Sequence, residues 1–296
     1  MMLFLAAEHF VRSPDWKWFI VAYFFLAGLG AGIFALGSML TFWGREQDRP
    51  AARLAFLASF PLMLLCPVLL TIDLGRPERF WHMVIDPTQG ILNFKYWSPM
   101  SVGVWALSAF AVLAFLMFAW AIAAGRGMTI ARIFDGLLGR VVMVLGTISG
   151  LYVCAYTGVL LSVSNQPIWS DGWPLGGLFL ASAMSGAAAL LLILARRRPE
   201  ALGSAPAIAD ADRYFAVIEI VLVLVFLVTV GLAGTLSPLF GGILLLLWIL
   251  VAVGIGLPLV GHYVKAARSF SPVVTAVLVL VGVLALRVAV IFGAQS

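Results

Sequence analysis

Eight long apolar runs alternate with polar connections along the chain, at roughly residues 18–42, 54–72, 97–123, 140–163, 174–195, 214–235, 239–261 and 272–292. Each is close to or above the about 20 residues that an α-helix needs to cross a hydrocarbon core. Lipid offers no partner for backbone N–H and C=O groups, so chains that cross it in such runs do so as helices. The pattern predicts an all-α integral membrane protein with eight transmembrane helices. Residues 1–195 would hold an N-terminal bundle of helices 1–4, with helix 5 starting the second half at about 174. The basic, Pro/Ala-rich stretch 196–213 reads as a cytoplasmic linker loop, and residues 214–296 carry helices 6–8 of the second bundle.

Composition agrees with this reading, because 63% hydrophobic and 10% charged residues in a chain of 296 leave too little polar surface to cover a soluble globule. The opening MMLFLAAEHF has no basic start and runs straight into charged residues, so no cleavable signal peptide is expected. Charge then sets orientation. The odd-numbered connections carry Arg45, Arg49, Arg53, Arg126, Arg132, Arg140, Arg196, Arg197, Arg198, Arg213, Lys265 and Arg268, against Arg12, Lys17, Arg76, Arg79 and Lys95 on the other side. The positive-inside rule puts the basic-rich side in the cytoplasm and both termini outside it. The net charge of +5 therefore reports topology, and nucleic-acid binding is excluded as a reading.

Most remaining polar chemistry is concentrated between the second and third runs. Thr71 to Trp105, TIDLGRPERFW followed by KYWSPMSVGVW, holds Asp73, Arg76, Glu78, Arg79, His82, Asp86 and Lys95. Asp73 and Arg76 lie at the very end of an apolar run, where an ionisable group is costly unless paired or functional. Three residues apart, they are expected to share a final helical turn as a pair, with Arg76 keeping Asp73 ionised. The bland alternative is a solvated connection whose Pro77, Pro87 and Pro99 merely end helices.

Within the spans, Gly28 and Gly32 have the spacing of a close helix–helix contact. Tyr23 lies about one turn inside the outer interface. Tyr152 and Tyr156 share a face of the fourth helix, and Thr157-Gly158 beside Tyr156 would permit close approach of a ligand. Glu219 and Arg287 are the deepest ionisable groups of the second half, so a partner or a water-filled path is expected for each, as an ion pair, a proton relay or both. Cys66 and Cys154 stand singly and read as packing residues. The histidines His9, His82 and His262 fall outside the spans or at their ends, so no axial pair for heme exists at membrane depth. No heme, iron–sulfur cluster or metal is expected in this chain.

With FLAGLGAG, LGRPERFW, SPMSVGVW, AYTGVLL, NQPIW, PLGGLFLASAMSG, Glu219 and LRVAVIFGAQ in hand, the chain resembles the NrfD/PsrC family, the membrane subunits of polysulfide reductase and related molybdopterin and nitrite reductase systems. That resemblance implies eight helices in two four-helix bundles, no bound redox metal, and electron exchange between membrane quinone (menaquinone or ubiquinone) and an extracytoplasmic iron–sulfur subunit, and through it a molybdopterin or other catalytic subunit. It places the quinone-contacting tyrosine of helix 4 at Tyr156. A ring-bearing position of helix 1 falls on Tyr23, where family members can carry His, and the positively charged motif after helix 2 falls on Arg76 and Arg79. The expected site is then catalytic Asp73 and Arg76, quinone-binding Tyr23, Tyr156, Arg76 and Arg79, and a proton path through Glu219 and Arg287, in a multi-pass protein of the bacterial cytoplasmic membrane. The competing readings are a secondary transporter, for which Pro61, Pro67 and Pro258 would break helices, and a purely structural anchor.

Overall fold

The computed structural model describes residues 14–263 and 271–295. Arg12, His9, Lys265 and Arg268, and the extreme chain ends to which the topology expectation refers, lie outside these residues. Eight helices follow in order: α1 Trp18–Trp43, α2 Arg49–Asp73, α3 Pro99–Gly125, α4 Leu137–Ser162, α5 Leu175–Arg196, α6 Ala205–Leu232, α7 Ile243–Tyr263 and α8 Pro272–Gly293. All eight are long and apolar enough to span a membrane. Among the described residues the only extended pairing is an isolated bridge between Ile85 and Leu92.

The two starts that fall farthest ahead of the hydropathy pattern do so for one reason. α6 begins at Ala205, inside the stretch expected as loop, after a 3₁₀ turn at Pro199–Ser204; α2 begins at Arg49. Both carry a proline within the first two positions, where its missing N–H costs nothing, followed by alanine-rich sequence of high helix propensity. Hydropathy registers the lipid-crossing part of a helix and is blind to a polar extension beyond it.

α1 and α5 are enclosed over most of their length and α8 over somewhat less, whereas the other five helices turn most of their residues outward. An α-helix apolar all round belongs in such a centre. α1 packs on α2, α4, α5 and α8, and α5 on α1, α4, α6 and α8, so one closely packed seam joins the halves. Small residues make that seam possible. A Cβ at Gly28 would stand 3.1 Å from the Ala183 Cβ, and one at Gly32 only 2.9 Å from the Ala183 carbonyl oxygen and the Ala187 Cβ, so the Gly28–Gly32 face is a helix contact of the small-residue type. At the end where α1 begins and α8 stops, the Trp169 indole donates to the Val290 carbonyl at 2.8 Å and the Gln166 amide to that of Ala294. The Trp16 N–H donates to the Gln295 side chain at 2.9 Å. The NQPIW and terminal GAQ motifs are thus fastenings between helix ends.

Candidate functional site

A cavity of about 510 Å³ opens where the starts of α1 and α3 and the ends of α2 and α4 meet under the α2–α3 connection. Its walls are mainly apolar, from Ile20, Phe24, Pro67, Leu70, Leu107 and Leu160 among others. Its polar groups are few: Tyr23 from α1, Thr71 and Asp73 from α2, Ser108 from α3 and Tyr156 from α4. A mostly apolar slot with a small number of convergent polar groups, within the roughly 300–1,000 Å³ usual for small-molecule sites, is the general form of a ligand pocket.

The α2–α3 connection is a built structure. Asn93 is its knot: its side chain donates to the His82 carbonyl at 2.9 Å, and its own carbonyl accepts from the Ser101 hydroxyl at 3.3 Å and the Trp105 indole at 3.2 Å. The Ser101 hydroxyl also accepts the Lys95 N–H at 3.0 Å, and Ser98 caps α3 with Pro99 in its first turn. Farther out, the Thr88 hydroxyl and N–H both donate to Asp86, holding that exposed carboxyl below the usual carboxylate range. Fastened this way, the connection sets Phe80, Met83 and Val84 against the cavity. Asn93, Ser101 and Trp105 carry this lid, and nothing in the sequence pattern singled them out. The Ser98-Pro99 start signal is visible in the sequence; the convergence on one carbonyl is not.

The residues singled out from sequence separate into two groups. Tyr23, Asp73 and Tyr156 line the cavity together. Tyr23 is 5% exposed, and no hydrogen bond to its hydroxyl is formed among the described residues, so that group is available to a ligand. Tyr156 donates to the Pro99 carbonyl at 2.8 Å and stacks on Tyr152 at 5.9 Å between ring centroids. Arg76 and Arg79 are exposed and line no part of the cavity. The expected Asp73–Arg76 pair is corrected: among the described residues Asp73 forms no ion pair, and the charges that act on it are those of Lys17 and Asp15. The physical reason is the end of α2. Gly75 takes φ +70°, the left-handed conformation that stops a helix, so Arg76 is not on a continuing turn with Asp73. A second correction concerns Gly158, where a Cβ would stand 2.1 Å from the Leu175 carbonyl oxygen. α5 occupies the space beside it, and no ligand can.

In the second half, a line of buried polar side chains crosses α6, α5 and α8. Asp212 accepts from the Ser185 hydroxyl at 2.7 Å, and Arg287 donates to the Ser182 hydroxyl at 2.8 Å and to the Val283 and Phe179 carbonyls at 3.1 and 3.3 Å. Its guanidinium also lies 5.0 Å from the Phe179 ring centre. Glu219, like Arg287, is 1% exposed, and neither of its carboxyl oxygens has a hydrogen bond within ordinary geometry. A direct Glu219–Arg287 ion pair is not formed. α5 packs against both α6 and α8 and stands between them, and its Ser182 is within reach of both charged groups. Asp212, Ser182 and Ser185 escape a reading of the sequence because a serine on an alanine-rich helix looks like a small packing residue. Among the described residues no group of three metal-ligating side chains comes together.

Comparison with known proteins gives one family. The family model "Polysulphide reductase, NrfD" matches residues 8–296. A polysulfide reductase polypeptide of Wolinella succinogenes is 30% identical over 319 aligned positions, which cover 95% of this chain and 94% of that protein. The protein NrfD of Escherichia coli is 27% identical over 207 positions, 64% of this chain and 61% of that protein. A selenate reductase polypeptide of Mesobacillus selenatarsenatis is 30% identical over 105 positions, 36% of this chain; the match spans only 22% of that protein's length.

Proposed function

This chain belongs to the NrfD family, a multi-pass membrane anchor of an oxidoreductase complex, and from that premise we propose that it is the quinone-reactive subunit of such a complex. In this reading it exchanges electrons between the quinone pool of the bacterial cytoplasmic membrane, menaquinone or ubiquinone, and an iron–sulfur subunit docked on the extracytoplasmic face. That subunit passes them to or from a molybdopterin or other catalytic subunit. Both termini lie on the extracytoplasmic side, and the protein alone is not a complete enzyme.

The observation that carries the reading is the apolar cavity at the outer end of α1–α4, with Tyr23, Asp73 and Tyr156 as its polar groups. The residues fit a quinone: an apolar slot for the ring and the start of its tail, a Tyr23 hydroxyl without a partner among the described residues, and a carboxylate at the mouth. A quinol releases two electrons and two protons on oxidation. In oxidation the two electrons pass to the iron–sulfur subunit. Asp73, which forms no ion pair among the described residues, accepts one proton from a ligand hydroxyl, and the second proton leaves to water at the cavity mouth; reduction of quinone reverses each transfer. Tyr23 and Tyr156 orient the ring, and the lid residues Phe80 and Met83 keep bulk water from it. Arg76 and Arg79, exposed on the same face, serve the docked subunit. The buried line Asp212, Ser185, Glu219, Ser182 and Arg287 supplies a proton path within the second half, the costliest place in the molecule to keep charge without a use for it.

The test is binding of decylubiquinone and of a short-tailed naphthoquinone to the purified full-length protein in lipid nanodiscs, alongside isolation of the native complex. Saturable binding that Asp73→Asn and Tyr23→Phe alter, with an iron–sulfur protein in the isolated complex, is the expected result. Purification alone, with solute uptake into vesicles and no quinone binding, would establish the transporter reading instead.

A further inference from the structure

A phenol has a single hydrogen to donate, and the Tyr156 hydroxyl gives its hydrogen to the Pro99 carbonyl at 2.8 Å, a group that can only accept. Tyr156 reaches that carbonyl because α3 has no side chain at Gly103, where a Cβ would stand 2.1 Å from both the hydroxyl oxygen and the ring carbon bearing it. The stacked Tyr152 ring restrains it from the side, and only 7% of Tyr156 is exposed. What Tyr156 offers the cavity is therefore oxygen lone pairs. Ionised Asp73 likewise offers only acceptors. Tyr23, whose hydroxyl has no partner among the described residues, can act either way and does not discriminate.

We propose that the cavity is selective for the reduced form of its ligand, a quinol, with Tyr156 as the acceptor that recognises a quinol O–H and Gly103 and Pro99 as the positioning residues that set its polarity. The inference rests on the quinone reading above. A quinol presents two O–H donors to these acceptors. An oxidised quinone presents carbonyl oxygens, and lone pairs face lone pairs.

The experiment measures affinities of the full-length protein in nanodiscs for decylubiquinone and for decylubiquinol kept reduced with dithionite. Wild type binds the quinol more tightly. Tyr156→Phe removes the acceptor and almost no volume, so it weakens quinol binding about fivefold and leaves quinone binding nearly unchanged. The midpoint potential of the bound couple falls correspondingly by about 20 mV. Gly103→Ala, which displaces the ring, narrows the quinol-to-quinone ratio to the same extent, and the double variant narrows it no further. If Gly103→Ala does not assemble, Tyr156→Phe decides the matter alone. An unchanged ratio in Tyr156→Phe, or quinone weakened as much as quinol, overturns the selectivity and leaves the quinone site standing. Absence of binding of either form to wild type overturns the quinone reading, and this inference with it.

Discussion

The two polar regions of this protein handle the same problem, ionisable groups inside an apolar fold, in opposite ways. Where α1–α4 meet under the α2–α3 connection, Tyr23 and Asp73 form no hydrogen bond through their side chains among the described residues and keep that capacity unused beside a cavity of about 510 Å³. In the second half, Arg287 turns donors to Ser182, Val283 and Phe179, and Asp212 is bonded to Ser185, while none of these residues lines that cavity. Capacity left open beside a void is what a ligand needs. Capacity mostly closed on neighbouring side chains holds charge in place, with the Glu219 carboxylate and the Arg287 Nε as its open members.

The largest effect that would separate these regions is removal of a closed member. Arg287→Met removes the donors to Ser182, Val283 and Phe179 and the nearby positive charge that acts on Glu219, and should cost about 1–3 kcal/mol of stability, read as a lowered thermal midpoint in detergent. Adding Glu219→Gln should recover a substantial part, because the uncompensated charge is what costs. If the double variant is no more stable than the single, the line is held by packing and not by charge.

Asp73→Asn should act on the other region alone. Loss of the proton acceptor is expected to lower quinol-linked turnover of the complex about 100-fold with thermal stability and assembly unchanged, since Asp73 forms no ion pair that its loss would break. A fall in stability comparable with that of Arg287→Met would erase the distinction between the regions.

A structural effect no larger than that of Arg287→Met is expected at the α4–α5 contact. Gly158→Ala would drive a methyl group into the Leu175 carbonyl, 2.1 Å away, at a cost of about 1–3 kcal/mol, while quinone affinity per folded molecule stays the same. An affinity change with normal stability would return Gly158 to the role of a ligand contact.

Arg76→Ala should do least at the cavity. Quinone affinity and the pH dependence of turnover are expected to match wild type, whereas assembly with the iron–sulfur subunit weakens. A shifted pH profile would show that Arg76 does reach Asp73.

Much of this is readable from the residues alone, and the boundary of legibility is physical. Tyr23, Asp73 and Tyr156 can be picked out because a polar residue near the end of an apolar span is conspicuous against its surroundings. The Gly28–Gly32 spacing announces a close helix contact, which α5 supplies through Ala183 and Ala187. The Asp73–Arg76 pair fails because the spacing rule assumes a helix that continues, and Gly75 ends it. Gly158 misleads because a glycine reports that something approaches without saying what.

By itself, the sequence determined the number of spans, the lipid-crossing core of each and the family, because crossing a hydrocarbon core demands about 20 consecutive apolar residues and leaves little freedom in how they are arranged along the chain. Only the tertiary structure decided that Ser182 lies between Glu219 and Arg287, that Asn93 fastens the lid, and that Tyr156 donates its hydrogen bond to the Pro99 carbonyl. Those contacts join residues 12, 57 and 105 positions apart in the chain, and no local periodicity encodes which carbonyl or hydroxyl a side chain will meet once helices pack.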